Sequence, residues 1–360
     1  MNGLLANVKS KTFWVMAAPL VGCFIFVYHE LFHGAMWPFL SSIALIGSVL
    51  SAVHHADVIA HRIGEPFGAL MLALAVTCIE VSLIVSLMLA GGPDTTLLAR
   101  DAVFATVMIV LNGMVGLCIF IGGLKHKEQT FTLQGVSATL IVLVTISVLT
   151  LILPNYTKTI VGPFYSTTQL IYVALVTLLL YGTFVYVQNV LHRSDFVAKG
   201  DKPNFKKPSF RSAVWSGVFL FLCLGTVVLL AEMLAPGLKN WLTAAGAPPS
   251  LSGVIIACVV LLPEGLSALR AARSNHLQKS FNLSLGSAIA SIGLTIPTVA
   301  FVSISLGLPL TLGIDAEATV LFLLSLFIIV LSLSTGKTTI LQGVVLLILF
   351  SIYLFTIVFP

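Results

Sequence analysis

Residues 66–91 read PFGALMLALAVTCIEVSLIVSLMLAG, and Glu80 is the only charge among them. The run exceeds the ~20 residues that cross a hydrocarbon core as a helix. Residues 250–270, SLSGVIIACVVLLPEGLSALR, repeat the layout, with one acid, Glu264, well inside an apolar stretch. An ionisable residue at bilayer depth costs ~2.5–3.5 kcal/mol on insertion scales, and such residues mark ion pathways and proton relays. Fold and site both follow from how these two stretches are read.

Composition agrees with them. The 360 residues are 58% hydrophobic and only 9% charged, with a mean hydropathy of +1.09. A soluble domain carries charge on about a quarter of its residues. The fold expected is an all-α polytopic membrane protein with eleven transmembrane helices, near 12–29, 36–56, 66–91, 102–123, 131–153, 166–189, 212–235, 250–270, 280–304, 317–335 and 338–359. Leu20-Val21-Gly22-Cys23 has the look of a lipoprotein cleavage box, but Phe24-Ile25-Phe26-Val27-Tyr28 continues the apolar run, so this segment reads as a first span. The five cysteines lie inside apolar runs without a C-x-x-C pair and read as packing residues, with no metal clip and no cofactor expected.

The long polar stretch from His192 to Arg211, rich in Lys, Pro and Gly, reads as a linker. The expected organisation is an N-terminal helix (1–35), a first five-helix repeat (36–191), a basic cytoplasmic linker (192–211) and a second five-helix repeat (212–360). Basic residues accumulate on the cytoplasmic side of membrane proteins. With the N-terminus inside, only Arg100, Lys158 and Lys239 of the eighteen basic residues fall outside, leaving fifteen inside. Five is odd, so the second half enters the membrane from the opposite side. That is the plan of an inverted repeat with a site at the midplane. The net charge of +5 is read as orienting the chain, not as binding nucleic acid.

Glu80 and Glu264 each sit in the second span of a half. Two carboxylates make a site of charge −2, suited to a hard cation, above all Ca²⁺ with its several oxygen ligands. Thr77, Ser82, Ser287 and Ser291 offer hydroxyls and Asn112 an amide oxygen, and Pro263 leaves one helical carbonyl without its N–H partner. Desolvation and like charge favour the neutral form of a carboxylate, so protons compete with a metal for the same oxygens. Glu232 reads as a residue that snorkels to the interface, and the other acids as solvated or interfacial charge. His54, His55, His61 and His126 read as ordinary interfacial histidines.

Gly64-Glu65-Pro66-Phe67-Gly68 followed by Thr77 and Glu80-Val81, then Val110-Leu111-Asn112-Gly113, resembles the first signature of ChaA-type bacterial cation/proton antiporters of the calcium/cation antiporter superfamily. Leu262-Pro263-Glu264-Gly265, Asn282-Leu283-Ser284-Leu285-Gly286-Ser287 and Gly293-Leu294-Thr295-Ile296-Pro297 resemble the second. The resemblance implies a multi-pass protein of the bacterial inner membrane, and the distribution of basic residues over eleven spans puts the N-terminus in the cytoplasm and the C-terminus outside it. It implies export of Ca²⁺, and in ChaA-type members Na⁺ or K⁺, against H⁺ at a site using Glu80 and Glu264. The chain departs from the Gly-Asn that usually precedes the key Glu, reading Thr77-Cys78-Ile79 and Leu261-Leu262-Pro263 instead. The partners expected are the cations, protons and the bilayer, and a homo-oligomer is permitted without being required. A channel is the rival reading. An enzyme is disfavoured, since neither H-E-x-x-H nor G-x-S-x-G occurs, and His29 with His33 lacks a clear third zinc ligand.

Overall fold

Lipid offers the backbone no hydrogen-bond partners, so apolar segments fold as helices that satisfy their own peptide groups. The computed structural model describes residues 2–29, 36–64, 67–91, 96–196, 208–244, 246, 248 and 250–359. Its long helices are α1 (Asn2–Val27), α2 (Met36–Ile63), α3 (Phe67–Gly91), α4 (Leu98–His126), α5 (Leu133–Tyr156), α6 (Thr167–Leu191), α7 (Phe210–Ala244), α8 (Leu251–Arg273), α9 (Leu277–Leu306), α10 (Ala316–Leu333) and α11 (Ile340–Val358). Among the described residues nine helices are long and apolar enough to span a membrane, and two shorter apolar stretches, Trp14–Val27 and Leu74–Ser86, lie in α1 and α3. The chain is therefore an all-α multi-pass membrane protein.

Helix ends follow local chemistry. Ser166 and Thr339 open α6 and α11 with capping boxes closed by Gln169 and Gln342. Asp315 caps α10 by accepting from the Ala318 amide at 2.8 Å, and Gly307 ends α9 in the left-handed region at φ 66°.

The chain divides into two compact units, Met1–Gly92 with Asn204–Ala245, and Pro93–Pro203 with Gly246–Pro360. In the first, α2 packs along α7, and α1 and α3 pack on both. Ile25, Ala44 and Leu230 form a buried cluster there. Cys23 meets the Thr226 hydroxyl at 3.0 Å and Ser51 donates to the Val15 carbonyl at 2.5 Å, tying α1 to its neighbours. Cys118 and Cys223 are buried, as packing residues would be, whereas Cys78 and Cys258 are exposed.

In the second unit α4 packs against α8 and α11, and α9 against α8, α5 and α6. Two crossings depend on missing side chains. A Cβ on Gly253 of α8 would lie 2.7 Å from the Asp101 carbonyl carbon, and one on Gly343 of α11 would lie 2.6 Å from the Phe120 amide nitrogen. Phe104 of α4 meets Phe322 and Tyr353 edge to face at 5.5 and 5.6 Å.

Two strands outside the helices, β1 (Glu128–Thr130) and β2 (Lys337–Thr339), pair antiparallel, Gln129 opposite Thr338. Lys337 and Glu128 meet at 2.8 Å, and that hydrogen bond and charge raise the Lys337 pKa. The buried Gln129 amide donates to Ala272 O at 3.0 Å and Asn275 Oδ1 at 2.9 Å, fastening the ribbon to the end of α8. Pairing puts both strands at one end of this unit. The expected spans between them are the fifth to the tenth, an even number. Of the expected linker, residues 197–207 lie outside the described residues.

Candidate functional site

Glu80 lies in the middle of α3, only 3% exposed, and Thr77 one turn earlier is 6% exposed. Residues i and i+3 share a helix face, so the hydroxyl and the carboxylate are presented together. Ile79, Leu83 and Ile84 around them are buried and apolar, while Ser82 is half-buried.

Glu264 occupies the matching place in α8, half-buried. The helix runs through Pro263 without a break, although the proline leaves the Val259 carbonyl without an N–H partner. The Ser287 hydroxyl of α9 donates to Glu264 Oε2. Ser291 follows Ser287 by one turn and is 4% exposed. It opens a π-helical turn, Ser291–Thr295, in the middle of α9. Ser284 and Thr295 bracket this row, both fully buried.

Asn112 is completely buried in a second π turn, Ile109–Met114, in the middle of α4. Its Nδ2 donates to Ser325 Oγ of α10 at 3.0 Å, and Ser325 spends its own proton on the Leu321 carbonyl at 2.9 Å. Ser325 can therefore only accept, which fixes the amide orientation. Asn112 Oδ1 has no hydrogen-bond partner among the described residues, so a buried amide oxygen is left open to a cation or a water. Sequence reasoning missed Ser325. A single serine in an apolar helix looks like a packing residue, and only the tertiary contact reveals it.

Within the second unit the structure thus joins Glu264 to Ser287 and holds Asn112 by Ser325. Glu80 and Thr77 share a face in the first unit. Such irregularities often mark function, though π turns also occur at Val148–Ile152 in α5 and Val187–Leu191 in α6.

The remaining candidates fall elsewhere. Glu232 is exposed on α7. Asp101, expected as solvated or interfacial charge, has a side chain 12% exposed and paired with Arg100 at 2.7 Å. His61 lies beside Asp57 at 3.2 Å, and His55 is buried with Nδ1 3.3 Å from Ser216 Oγ. His29 Nδ1 meets the Phe26 carbonyl at 2.8 Å, whereas Glu30, His33, Glu65, Pro66, Asp94 and Asp201 lie outside the described residues.

Comparison with known proteins places the chain. The family described as sodium/calcium exchanger protein matches residues 33–190 and 215–359, most of the chain. The chain belongs to that family. It is 44% identical over 347 residues to y4hA of Sinorhizobium fredii, named as an ionic transporter, covering 95% of each chain. It is 37% identical over 324 residues to the sodium-potassium/proton antiporter ChaA of Escherichia coli, covering 88% of this chain and 87% of the relative. Among solved structures, the Ca²⁺/H⁺ antiporter YfkE superposes with a TM-score of 0.74 at 18% identity, covering 98% of this chain and all of that one. The H⁺/Ca²⁺ exchanger CAX gives 0.72 at 17%, covering 96% and 88%. At those identities the likeness is one of fold. The superfamily suggested by the two sequence signatures is the one the chain falls in.

Proposed function

We propose that the chain is a proton-coupled cation antiporter of the bacterial inner membrane. It exports Ca²⁺, with Na⁺ or K⁺ as further cargo, in exchange for H⁺. Glu80 and Glu264 take the cation or the protons in turn, and Thr77, Ser287, Ser291 and Asn112 supply neutral oxygens. The observation that carries this reading is the Ser287 hydroxyl bonded to Glu264 inside an apolar helix pair, in a chain whose relatives are named as cation/proton antiporters.

The chemistry follows from the donor set. A serine hydroxyl has one proton and two lone pairs, so Ser287 can steady the carboxylate while turning a lone pair toward a cation. Carboxylate, hydroxyl and amide oxygens are the hard ligands that Ca²⁺ and alkali cations take, and thiolate and imidazole are not needed. When the cation departs, paired acids in a desolvated place are the natural proton acceptors. One set of oxygens then serves both ions, and neither crosses without the other.

The test is cation-driven proton movement in everted vesicles with the membrane potential clamped. Adding Ca²⁺, Na⁺ or K⁺ should release protons from the acidic lumen, with the cation accumulating against its gradient. Cation flux that proceeds without proton flux would make the protein a channel or uniporter.

A further inference from the structure

Where α4 and α8 end side by side, in the second unit, they enclose a cleft of about 600 Å³. It is lined by the apolar side chains of Ile121, Leu124, Leu266 and Leu269 and by the cations Lys125, Arg270 and Arg273. Leu124 is 62% exposed and Leu266 44%. All three cations are exposed as well.

Among the described residues none of the three cations is ion-paired with a carboxylate. Glu128, the acid nearest Lys125 in sequence, is engaged by Lys337 at 2.8 Å. No Asp or Glu occurs between Glu264 and Asp315. The Lys125 ammonium is held at the rim because it donates to the Arg273 carbonyl at 3.0 Å, and the His126 ring meets the same carbonyl at 3.1 Å.

Basic residues in the last turn of a helix have an ordinary use, which is to offset the helix dipole. That use accounts for the charges but not for a cleft with an exposed leucine wall beside them. Its volume lies within the range of small-ligand sites, ~300–1,000 Å³. At the mouth of two membrane-spanning helices, a ligand that is anionic at one end and apolar along the other is a phospholipid.

We propose that this cleft binds an anionic phospholipid. Its phosphate sits among Lys125, Arg270 and Arg273, and the upper part of an acyl chain lies along Leu124 and Leu266. Arg270 is six residues beyond Glu264 on α8, so the bound lipid rests on the helix that carries the candidate carboxylate. The inference needs only the membrane placement of the chain and stands apart from the antiport reading.

The experiment is native mass spectrometry of the full chain purified in detergent, with phosphatidylglycerol or phosphatidylcholine added in equal amounts. Wild type should retain phosphatidylglycerol in preference by about tenfold or more, from three cations near one headgroup. A Lys125→Gln, Arg270→Gln, Arg273→Gln variant should lose that preference. An Arg270→Lys, Arg273→Lys variant, which keeps the charge, should retain most of it, and so should a Lys206→Gln, Lys207→Gln control. Excess glycerol phosphate, which lacks acyl chains, should not displace the lipid. Equal retention of the two lipids, a preference that survives the triple Gln variant, or full displacement by glycerol phosphate would each overturn the proposal. Should the triple variant not fold, Leu124→Ser, Leu266→Ser in the wild-type background decides the matter, since lipid binding requires that wall and unchanged retention would exclude it.

Discussion

Ser287 donates to Glu264, and Ser325 accepts from Asn112, so these two candidate ligands each have a neighbour that orients them. A hydrogen bond to a charged group contributes roughly 1.5–3 kcal/mol. Ser287→Ala should therefore raise the cation concentration for half-maximal proton flux by about tenfold or more, with Ser287→Thr close to wild type. An unchanged half-saturation would show that the hydroxyl plays no part. Ser325→Ala leaves a buried amide without its acceptor, which costs about 1–3 kcal/mol, and should lower the melting temperature of the purified protein. Both glutamates were legible in the sequence because a lone acid within an apolar run announces itself. The two orienting contacts were not equally so. Ser287 stands in a row of small and polar residues that drew attention, whereas Ser325 is surrounded by Leu, Ile and Phe and acquires meaning only from Asn112 across the helix contact.

Helices pack here at distances that side chains would prevent. The Asp101 carbonyl carbon of α4 would stand 2.7 Å from a Cβ on Gly253, and backbone cannot yield as a flexible side chain can. Gly253→Val should destabilise the fold by at least ~1–3 kcal/mol through overpacking, seen as lower thermal stability in detergent. Tyr165, between α5 and α6, donates to the Leu149 carbonyl at 2.5 Å, and burial raises its pKa from 10 to about 12. The folded state thus holds this proton after an unfolded chain has released it. Its contribution is fully present below pH 10 and is lost as pH rises toward and through 12, so Tyr165→Phe should lessen the fall in stability over that window. The apolar segments could be read from hydropathy because lipid imposes one length and one composition. The π turns in α4 and α9 could not, since they arise from how neighbouring helices seat and leave no composition signal.

The whole chain carries fifteen of its eighteen basic residues on one side of the expected topology, and the β1–β2 ribbon pairs two loops assigned to that side. A reporter fused after α11 should therefore behave as extracytoplasmic, with active alkaline phosphatase and dark green fluorescent protein. The opposite pattern would reverse the orientation. What the sequence did not convey at this scale is the grouping of helices. Reading outward from the linker gives two halves, yet α1, α2 and α3 gather with α7 into one unit, while α8 joins α4 in the other. Those groupings come from packing between segments distant along the chain. If the two carboxylates carry the ions, Glu80→Gln and Glu264→Gln, measured singly, each abolish the exchange. In everted vesicles, Ca²⁺-, Na⁺- or K⁺-driven proton release should fall by about a hundredfold or more in each, since an amide can neither carry the charge nor take the proton. Release at the wild-type rate in either variant would contradict the account.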